Sequence, residues 1–364
     1  MPIYMDRHDL PESVTAEEVA RLHQEDLKVE DEFGCKGLTY WFDDQRKTAF
    51  CLIKAPNKKA LKDMHKHAHG DIPNSIVEVD PSVVESFLGR IEDPEKAMNA
   101  DLNIINDPAF RVLVRVDLRS TNLKSLREND SRANLAKCRN TLRDFTVQYG
   151  GRETNAGLSG CLFSFDSITN AVNFALDVNK EFDAKWISAD KDLDLHIGLS
   201  SGVPFEEPDG LFRETQKMAE RLCNSVQGRI VVTSEVKDLY ESENLNNRLD
   251  VELVRSLHPA DEKFLNGFID FTEEVWNRTN LKVEDFTSGL GMSKAQLYRK
   301  VKSITGRSLI TFIRQYRLGK AVDLLLKKKG NISEVAFDTG FNSPAYFSKC
   351  FHSAYGVLPS EVFK

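Results

Sequence analysis

Two short segments near the C-terminus carry the same helix signals, and this pattern constrains the fold more than any other feature of the sequence. In the first segment, Ser293 is placed to cap a helix that Gly306 ends. In the second, Ser343 and Pro344 are placed to begin a helix that Gly356 ends. The two caps are 50 residues apart, with apolar residues at helical spacing between them. The pattern predicts two helix-turn-helix units held by one long helix.

Charge is distributed unevenly along the chain. Residues 271–364 hold 15 Lys and Arg against 8 Asp and Glu, a net charge of +7, whereas residues 1–270 hold 34 against 48, a net charge of −14. A basic region attached to an acidic body is typical of a DNA-binding domain on a larger protein. The overall net charge of −7 therefore does not exclude nucleic acid as a partner.

The region from 272 to 364, with both units and the closing segment GVLPSEV in register, resembles the AraC/XylS family of transcription regulators. The resemblance implies that the second helix of each unit enters the major groove of double-stranded DNA. Lys302, on the first of these helices, is a candidate for phosphate contact, with a solvated charge as the alternative. The residues that the resemblance places against bases are Ala295, Tyr298 and Arg299 in the first unit and Pro344, Ala345, Ser348 and Lys349 in the second.

The chemistry of these side chains differs. Arg299 can form a bidentate hydrogen bond with guanine, although a solvated helix charge is the alternative, and Lys349 can reach guanine or phosphate. Pro344 and Ala345 offer only apolar contact. We therefore expect the first unit to contribute more base specificity than the second.

Two boundaries divide the chain into residues 1–93, 109–255 and 271–364. Residues 92–108, EDPEKAMNADLNIINDP, have the breaks of a linker, and a weaker boundary lies at 255–270. Hydrophobic spacing predicts the element order β-α-β-β-α-β in the first part, and the same plan on a larger scale in the second, with a further helix at 211–226 and a further strand at 229–234. The predicted fold class is a multidomain α+β protein, with two ferredoxin-like βαββαβ sandwiches followed by an all-α double helix-turn-helix domain.

The middle part resembles the class III nucleotidyl cyclases over about residues 110–240. The segments that carry the resemblance, in order, are VLVRVDLRSTNL, GGRETNAGLSGCLFSFDS, LHIGLSSG and LFRETQKMAERLCNSVQGRIVVTSEV. Such an enzyme needs two carboxylates to hold two metal ions on the triphosphate. The resemblance places the first carboxylate at Asp117, but the second falls on Leu158-Ser159. We therefore expect no enzymatic activity; an active cyclase with Asp166 as replacement ligand is the alternative.

Three further cyclase positions align with Asn155, Lys217 and Arg221, and only Arg221 keeps the family's residue. A domain without its chemistry can keep its pairing surface, so the resemblance implies a homodimer. Asp117, Lys217 and Arg221 are candidates for holding an anionic ligand such as a nucleotide. A surface charge pair is the alternative for Lys217 and Arg221, which lie one helical turn apart.

Five of the eight histidines lie in the first 69 residues, at His8, His23, His65, His67 and His69. His65 and His69 share a helix face, while His67 points away from it. The segments MPIYMDRHDLP, GCKGLTYWFD and HKHAHGDIPNSIVEVDP resemble a small ferredoxin-like family described as nickel-binding. We predict a site for Ni²⁺ or another divalent transition metal formed by His65 and His69 with His8 or His23. Histidines that only form hydrogen bonds are the alternative.

The expected cellular location of the protein and the redox state of its cysteines are inferred from motifs that the sequence lacks. The six cysteines include no Cys-x-x-Cys pair, so reduced thiols are expected. No apolar run approaches the roughly 18 residues of a membrane span, and the first residues are too polar for a secretory signal. We expect a cytoplasmic transcription regulator without a membrane partner, whose first two domains sense a metal or small molecule or dimerise. A metal-trafficking protein is a third reading, based on the first domain alone.

Overall fold

The computed structural model describes residues 1–94, 102–120, 129–156, 160–186, 193–205, 210–245 and 247–362. These residues form two β-sheets flanked by helices and a C-terminal region that is entirely helical. The predicted mixed α/β architecture with a helical C-terminal domain is therefore confirmed at this level. Among the described helices, none combines the length and the hydropathy needed to cross a membrane.

The first domain is a four-stranded sheet in the order β2-β3-β1-β4, with every neighbouring pair antiparallel. Its strands are β1 (Ile3–Asp9), β2 (Lys36–Asp43), β3 (Thr48–Lys54) and β4 (Ser75–Val79), and its helices are α1 (Ala16–Val29), α2 (Lys58–Ala68) and α3 (Pro81–Leu88). Thr15 and Asn57 cap α1 and α2, accepting hydrogen bonds from the backbone N–H groups of Glu18 and Ala60. The sequence analysis missed α3, although Asp80 caps it and Pro81 begins it.

The middle domain is a six-stranded sheet in the order β10-β9-β8-β5-β7-β6. The strands are β5 (Arg111–Ser120), β6 (Arg152–Ala156), β7 (Gly160–Phe165), β8 (Leu193–Gly202), β9 (Ile230–Val232) and β10 (Val254–Ser256). The helices are α4 (Asn129–Gln148), α5 (Ile168–Glu181), α6 (Arg213–Ser225) and α7 (Ser234–Glu243). Strands β9 and β10 extend the sheet in parallel beyond β8. Strand β9 lies within the strand predicted at 229–234, whereas β10 was not predicted from the sequence.

The two sheets are packed together rather than separated by a free linker. Trp41 and Phe50 on one face of the first sheet share a hydrophobic cluster with Leu113 and Leu162 of the middle domain. The segment before β5 also lies on the first domain, because the Phe42 N–H donates to the Asp107 carbonyl at 3.2 Å. Both faces of the first sheet are therefore covered, one by α1 and α2 and the other by α3 together with the middle domain.

The C-terminal domain consists of α8 (Pro259–Val275), α9 (Val283–Gly289), α10 (Lys294–Thr305), α11 (Leu309–Leu326), α12 (Ile332–Asp338) and α13 (Pro344–Tyr355). Helices α9 and α10 form the first unit, and α12 and α13 form the second. Ser293 and Ser343 cap α10 and α13 as the sequence predicts, and Gly306 and Gly356 end them with φ of +71°. Helix α8 crosses residue 271, so the helical region begins within the segment that the sequence suggests as a boundary.

Candidate metal centre and nucleic-acid interface

A buried cluster of imidazole and carboxylate groups lies between β1, α1 and α2 of the first domain. His65 Nε2 is 2.9 Å from Asp6 Oδ2, and His65 Nδ1 is 3.0 Å from Asp26 Oδ1. His69 joins the same group, because its Nε2 is 3.2 Å from His65 Nδ1 and from Asp26 Oδ1. The side chains of His65 and His69 are only 1% and 4% exposed. The structure thus brings together the two histidines that the sequence placed on one helix face.

His8 extends this cluster on the other side of Asp6. Its ring centroid lies 5.1 Å from that of His65, and its Nδ1 is 3.0 Å from Asp71 Oδ2. One ligand atom from each of Asp6, His8 and Cys51 falls within 4.8 Å of the others, and the same holds for Asp26, His65 and His69. His8 Nε2 is buried and lies 3.5 Å from Asp6 Oδ1, within ion-pair distance, without forming a hydrogen bond in the described parts of the chain. The mixed imidazole, carboxylate and thiol donor set fits a divalent transition metal.

The carboxylates keep His65 and His8 protonated in the absence of metal. Burial lowers the pKa of His65, but the charges and hydrogen bonds of Asp6 and Asp26 outweigh it and raise this pKa to about 10. In the same way, Asp6 and Asp71 overcome burial and raise the pKa of His8 to about 9. Burial raises the pKa of Asp6, yet the neighbouring imidazoles hold it below its ordinary value. A metal ion that binds here must displace protons from the imidazoles.

The other histidines of the first domain have different surroundings. His23 Nε2 lies 3.4 Å from Asp93 Oδ2, and its ring lies 5.0 Å from the Tyr40 ring. His67 is on the exposed side of α2, as its place in the helix predicts. The sequence analysis missed the acidic partners of the cluster. Asp6 could have been found from its position two residues before His8 on the same face of β1, whereas Asp26 comes from a separate helix.

The predicted DNA-contacting residues lie on accessible parts of the two helix-turn-helix units. Ala295, Arg299 and Lys302 on α10 are exposed, and so are Ala345 and Lys349 on α13. The half-buried members of the predicted set are Tyr298, Pro344 and Ser348. Phe347 and Phe351 face inward instead and are fully buried in the core of the second unit. Both helices therefore have a buried side that anchors them and an open side.

The middle domain holds the C-terminal end of α10. The Arg255 guanidinium donates to the carbonyl groups of Ser303 at 2.8 Å and Ile304 at 3.2 Å. The Gln227 N–H donates to the Ile304 carbonyl at 2.9 Å. A positive charge and a backbone donor at this end satisfy carbonyl groups that have no partner within the helix. The first unit is thus fixed to the sheet that precedes it.

Removing the Arg255 side chain tests this attachment. We expect Arg255→Ala to loosen the end of α10, because each hydrogen bond lost contributes about 1 kcal/mol. Hydrogen-deuterium exchange over residues 300–306 should be faster than in the parent protein. Arg248→Ala, which removes an exposed arginine of the same domain, is the matched control. Unchanged exchange in the Arg255 variant would show that the contact does not stabilise this helix end.

The cyclase-like positions that the structure describes are engaged with neighbouring groups. Asp117 Oδ2 accepts a hydrogen bond from Arg119 Nε at 2.7 Å, and Lys217 Nζ lies 2.5 Å from Glu214 Oε1. Arg221 is buried and reaches away from the middle domain, donating to the side chains of Asn266 and Asp270 on α8. Leu158-Ser159 and the side chain of Asn155 lie outside the described residues. Asp166 is exposed.

These features define a protein in which a helical double helix-turn-helix domain is fixed to two sheet domains, the first with a candidate metal centre. Residues 287–364 match a family model described as a helix-turn-helix domain. Residues 4–79 match a model described as a nickel-responsive protein, SCO4226-like. The chain therefore carries a helix-turn-helix domain at its C-terminus and an SCO4226-like domain at its N-terminus.

Curated relatives match segments of this chain that cover about a third of it or less. The transcriptional regulator MtrA of Neisseria gonorrhoeae is 35% identical over 119 residues, which are 32% of this chain and 38% of that protein. Histidine kinase P4 of Formosa agariphila is 36% identical over 106 residues, 29% of this chain. The matched segments span 38% and 8% of the lengths of these two relatives.

Two solved structures illustrate the similarity at each end of the chain. SCO4226 from Streptomyces coelicolor is 30% identical and covers 21% of this chain and 94% of its own, with a TM-score of 0.20. The C-terminal domain of the response regulator AraT from Geobacillus stearothermophilus is 28% identical and covers 29% of this chain and 85% of its own, with a TM-score of 0.27.

Proposed function

We propose that this protein is a sequence-specific DNA-binding transcription regulator whose first two domains sense a metal or another ligand. The observation that carries the proposal is the pair of helix-turn-helix units, each with an anchored second helix whose opposite side is open. The match of residues 287–364 to a helix-turn-helix family model supports it. In this proposal Arg299 contacts guanine, Lys302 contacts phosphate and Lys349 contacts guanine or phosphate. The remaining predicted residues complete the two groove contacts. A protein with this role acts where the chromosome is, which is the cytoplasm of a bacterium.

Sequencing the genomic DNA recovered with the protein tests this function directly. We expect a small set of fragments that share a motif with two half-sites about one helical turn of DNA apart. Repeating the recovery with and without Ni²⁺, and with and without nucleotides, would show which of these ligands changes the amount of each DNA fragment bound by the protein. Recovery of random fragments would contradict sequence-specific binding.

Metal sensing by the first domain is the regulatory part of the proposal. The buried cluster around His65 supports it, as does the match to a nickel-responsive family model. A route to the DNA-binding domain exists through packed contacts. Trp41 of the first sheet shares a cluster with Leu113 of the middle domain, and Leu222 of the middle domain shares another with Leu297 of α10. We propose that a change at the metal centre reaches the DNA-binding domain through the middle domain, which packs against both.

We further propose that the middle domain is not an enzyme. Purified protein incubated with ATP or GTP and Mn²⁺ should form no cyclic nucleotide above background, because Asp117 is engaged by Arg119 and one carboxylate cannot hold two metal ions. Product would be measured by chromatography, with Asp117→Ala and Asp166→Ala as comparison variants. Turnover that either substitution abolishes would instead favour an active cyclase.

Pairing of two copies is the second role proposed for the middle domain. Cyclase-like domains act in pairs, and a two-fold dimer would bind two copies of the motif that the two units of one chain recognise. Sedimentation of the full chain at micromolar concentration should give the mass of a homodimer. A monomer at that concentration would contradict the pairing role. Because Leu113 and Leu162 pack against the first domain, the dimer surface must lie elsewhere on the sheet or its helices.

A further inference from the structure

A cleft with a volume of about 250 Å³ lies between the two helix-turn-helix units. Phe286 of the first unit, Ile313 of α11 and Phe341 of the second unit all line it. The volume is slightly below the roughly 300 to 1,000 Å³ of sites for drug-sized ligands. A cleft of this size and lining suits an organic molecule with one or two rings.

The cleft lies where the C-terminal domain changes from one hydrophobic core to another. Phe312 and Ile313 of α11 belong to the core of the first unit, which also contains residues of the middle domain. Leu318 and Leu325, further along the same helix, belong to the separate core of the second unit. The two units are therefore distinct packed bodies joined by α11. A ligand between them would contact both and influence the angle between the two DNA-contacting helices.

The charged residues that line the cleft, Lys282, Arg314 and Arg317, are all basic. Arg317 donates to the carbonyl groups of Trp276 at 2.7 Å, Arg278 at 2.7 Å and Gly340 at 2.8 Å. Carbonyl groups satisfy its N–H donors without neutralising its charge, and burial lowers its pKa. Within the described residues, no ion pair engages the side chains of Lys282 or Arg314. The electrostatic potential in the cleft therefore favours an anion.

The rim of the cleft is apolar and open to solvent. Ile310 is 66% exposed and Tyr346 is 52% exposed, and both residues line the opening. A DNA phosphate would match the positive charge but would leave this apolar surface and the interior of the cleft uncovered. A molecule with both an acidic group and a ring system would satisfy both features.

We propose that this cleft binds a small organic acid, with its carboxylate held by Arg314 and Lys282 and its rings packed against Phe286, Ile313 and Phe341. Binding would fix the two units at one relative angle and thereby alter the spacing of α10 and α13. The site is separate from the metal centre of the first domain, so it would give the protein a second effector input.

Calorimetry with the full, metal-free chain tests the site in the absence of DNA. The probe is 2-naphthoate, and its neutral counterpart 2-naphthylmethanol measures the contribution of the charge. We expect saturable binding of one naphthoate per chain, at least tenfold weaker binding of the alcohol, and at least a tenfold loss of naphthoate affinity in Arg314→Gln. Lys329→Gln, which removes an exposed lysine beyond the end of α11, is the matched control and should bind like the parent.

Three results would overturn the proposal. These are no saturable binding of naphthoate, equal binding of the acid and the alcohol, and equal naphthoate affinity in Arg314→Gln and the parent. If Arg314→Gln also weakens binding to all DNA sequences while naphthoate does not bind, the cleft belongs to the DNA-backbone contact instead. Because the ligand assay contains no DNA, its outcome is independent of whether the protein binds an operator.

Discussion

Replacing both cluster histidines, in the variant His65→Ala with His69→Ala, should abolish binding of Ni²⁺ to the full chain. The two imidazoles lie on one face of α2 and, with Asp26, place their ligand atoms within 4.8 Å of one another. Without them only carboxylates, His8 and Cys51 remain, and the helix contributes no donor. Calorimetry on the full chain is the measurement of choice, since an isolated first domain would expose the sheet face that carries Trp41 and Phe50.

Controls must separate loss of the site from loss of the fold. Removing both histidines leaves the buried Asp26 without an imidazole partner and leaves Asp6 with His8 alone, and breaking a buried charge pair costs about 3 to 5 kcal/mol. The milder variants His65→Gln and His69→Ala should fold, as judged by circular dichroism, and should still weaken metal binding. His67→Ala is the matched control, because that side chain is exposed on the same helix. Ni²⁺ binding that is unchanged in the folded variants would remove these residues as ligands.

Metal affinity should also depend strongly on pH. Asp6 and Asp26 raise the pKa of His65 to about 10, and Asp6 and Asp71 raise the pKa of His8 to about 9. Both imidazoles are therefore in the positively charged form at neutral pH. Because only neutral imidazole is a ligand, each displaced proton should lower the affinity roughly tenfold per unit of pH decrease below the raised pKa. The loss of metal affinity on lowering the pH should therefore begin above the ordinary pKa of imidazole.

Replacing Arg299 with alanine should weaken binding to the specific operator by about 5- to 150-fold, which corresponds to roughly 1 to 3 kcal/mol. The residue is exposed on α10, and in the proposed complex its guanidinium forms two hydrogen bonds with one guanine. The variant should also lose its preference at that base pair. Fluorescence anisotropy with the parent operator and its single-base variants measures both effects.

The comparison with Lys302→Ala distinguishes base contact from phosphate contact. Lys302 is exposed on the same helix, and its loss should weaken binding to all sequences alike and reduce the slope of affinity against salt. If Arg299→Ala instead kept both the affinity and the specificity of the parent, the assignment of α10 to the major groove would be wrong.

Local signals in the sequence were sufficient to predict where the main helices of the C-terminal domain begin and end. Ser293, Gly306, Ser343 and Gly356 act within one turn of the helices that they begin or end, so their roles can be deduced from neighbouring residues alone. The same is true of the helix face shared by His65 and His69. The composition of the C-terminal region also indicated the class of partner, since its basic charge is contained in one contiguous segment.

Contacts between distant residues could not be deduced in this way. Asp6 and Asp26 meet His65 across 59 and 39 residues of chain, and only the packing of β1, α1 and α2 brings them together. Burial in that packing, and not residue type, sets the raised imidazole pKa values. Likewise, Arg255 reaches α10 because β10 adds to the edge of the middle sheet. The sequence determined the helices, their ends and the charge of the C-terminal domain, because those depend on local interactions. Only the tertiary structure determined which acidic residues contact the histidines of the candidate metal centre, and how the helix-turn-helix domain is attached to the middle domain. Both depend on packing between residues that are distant in the sequence.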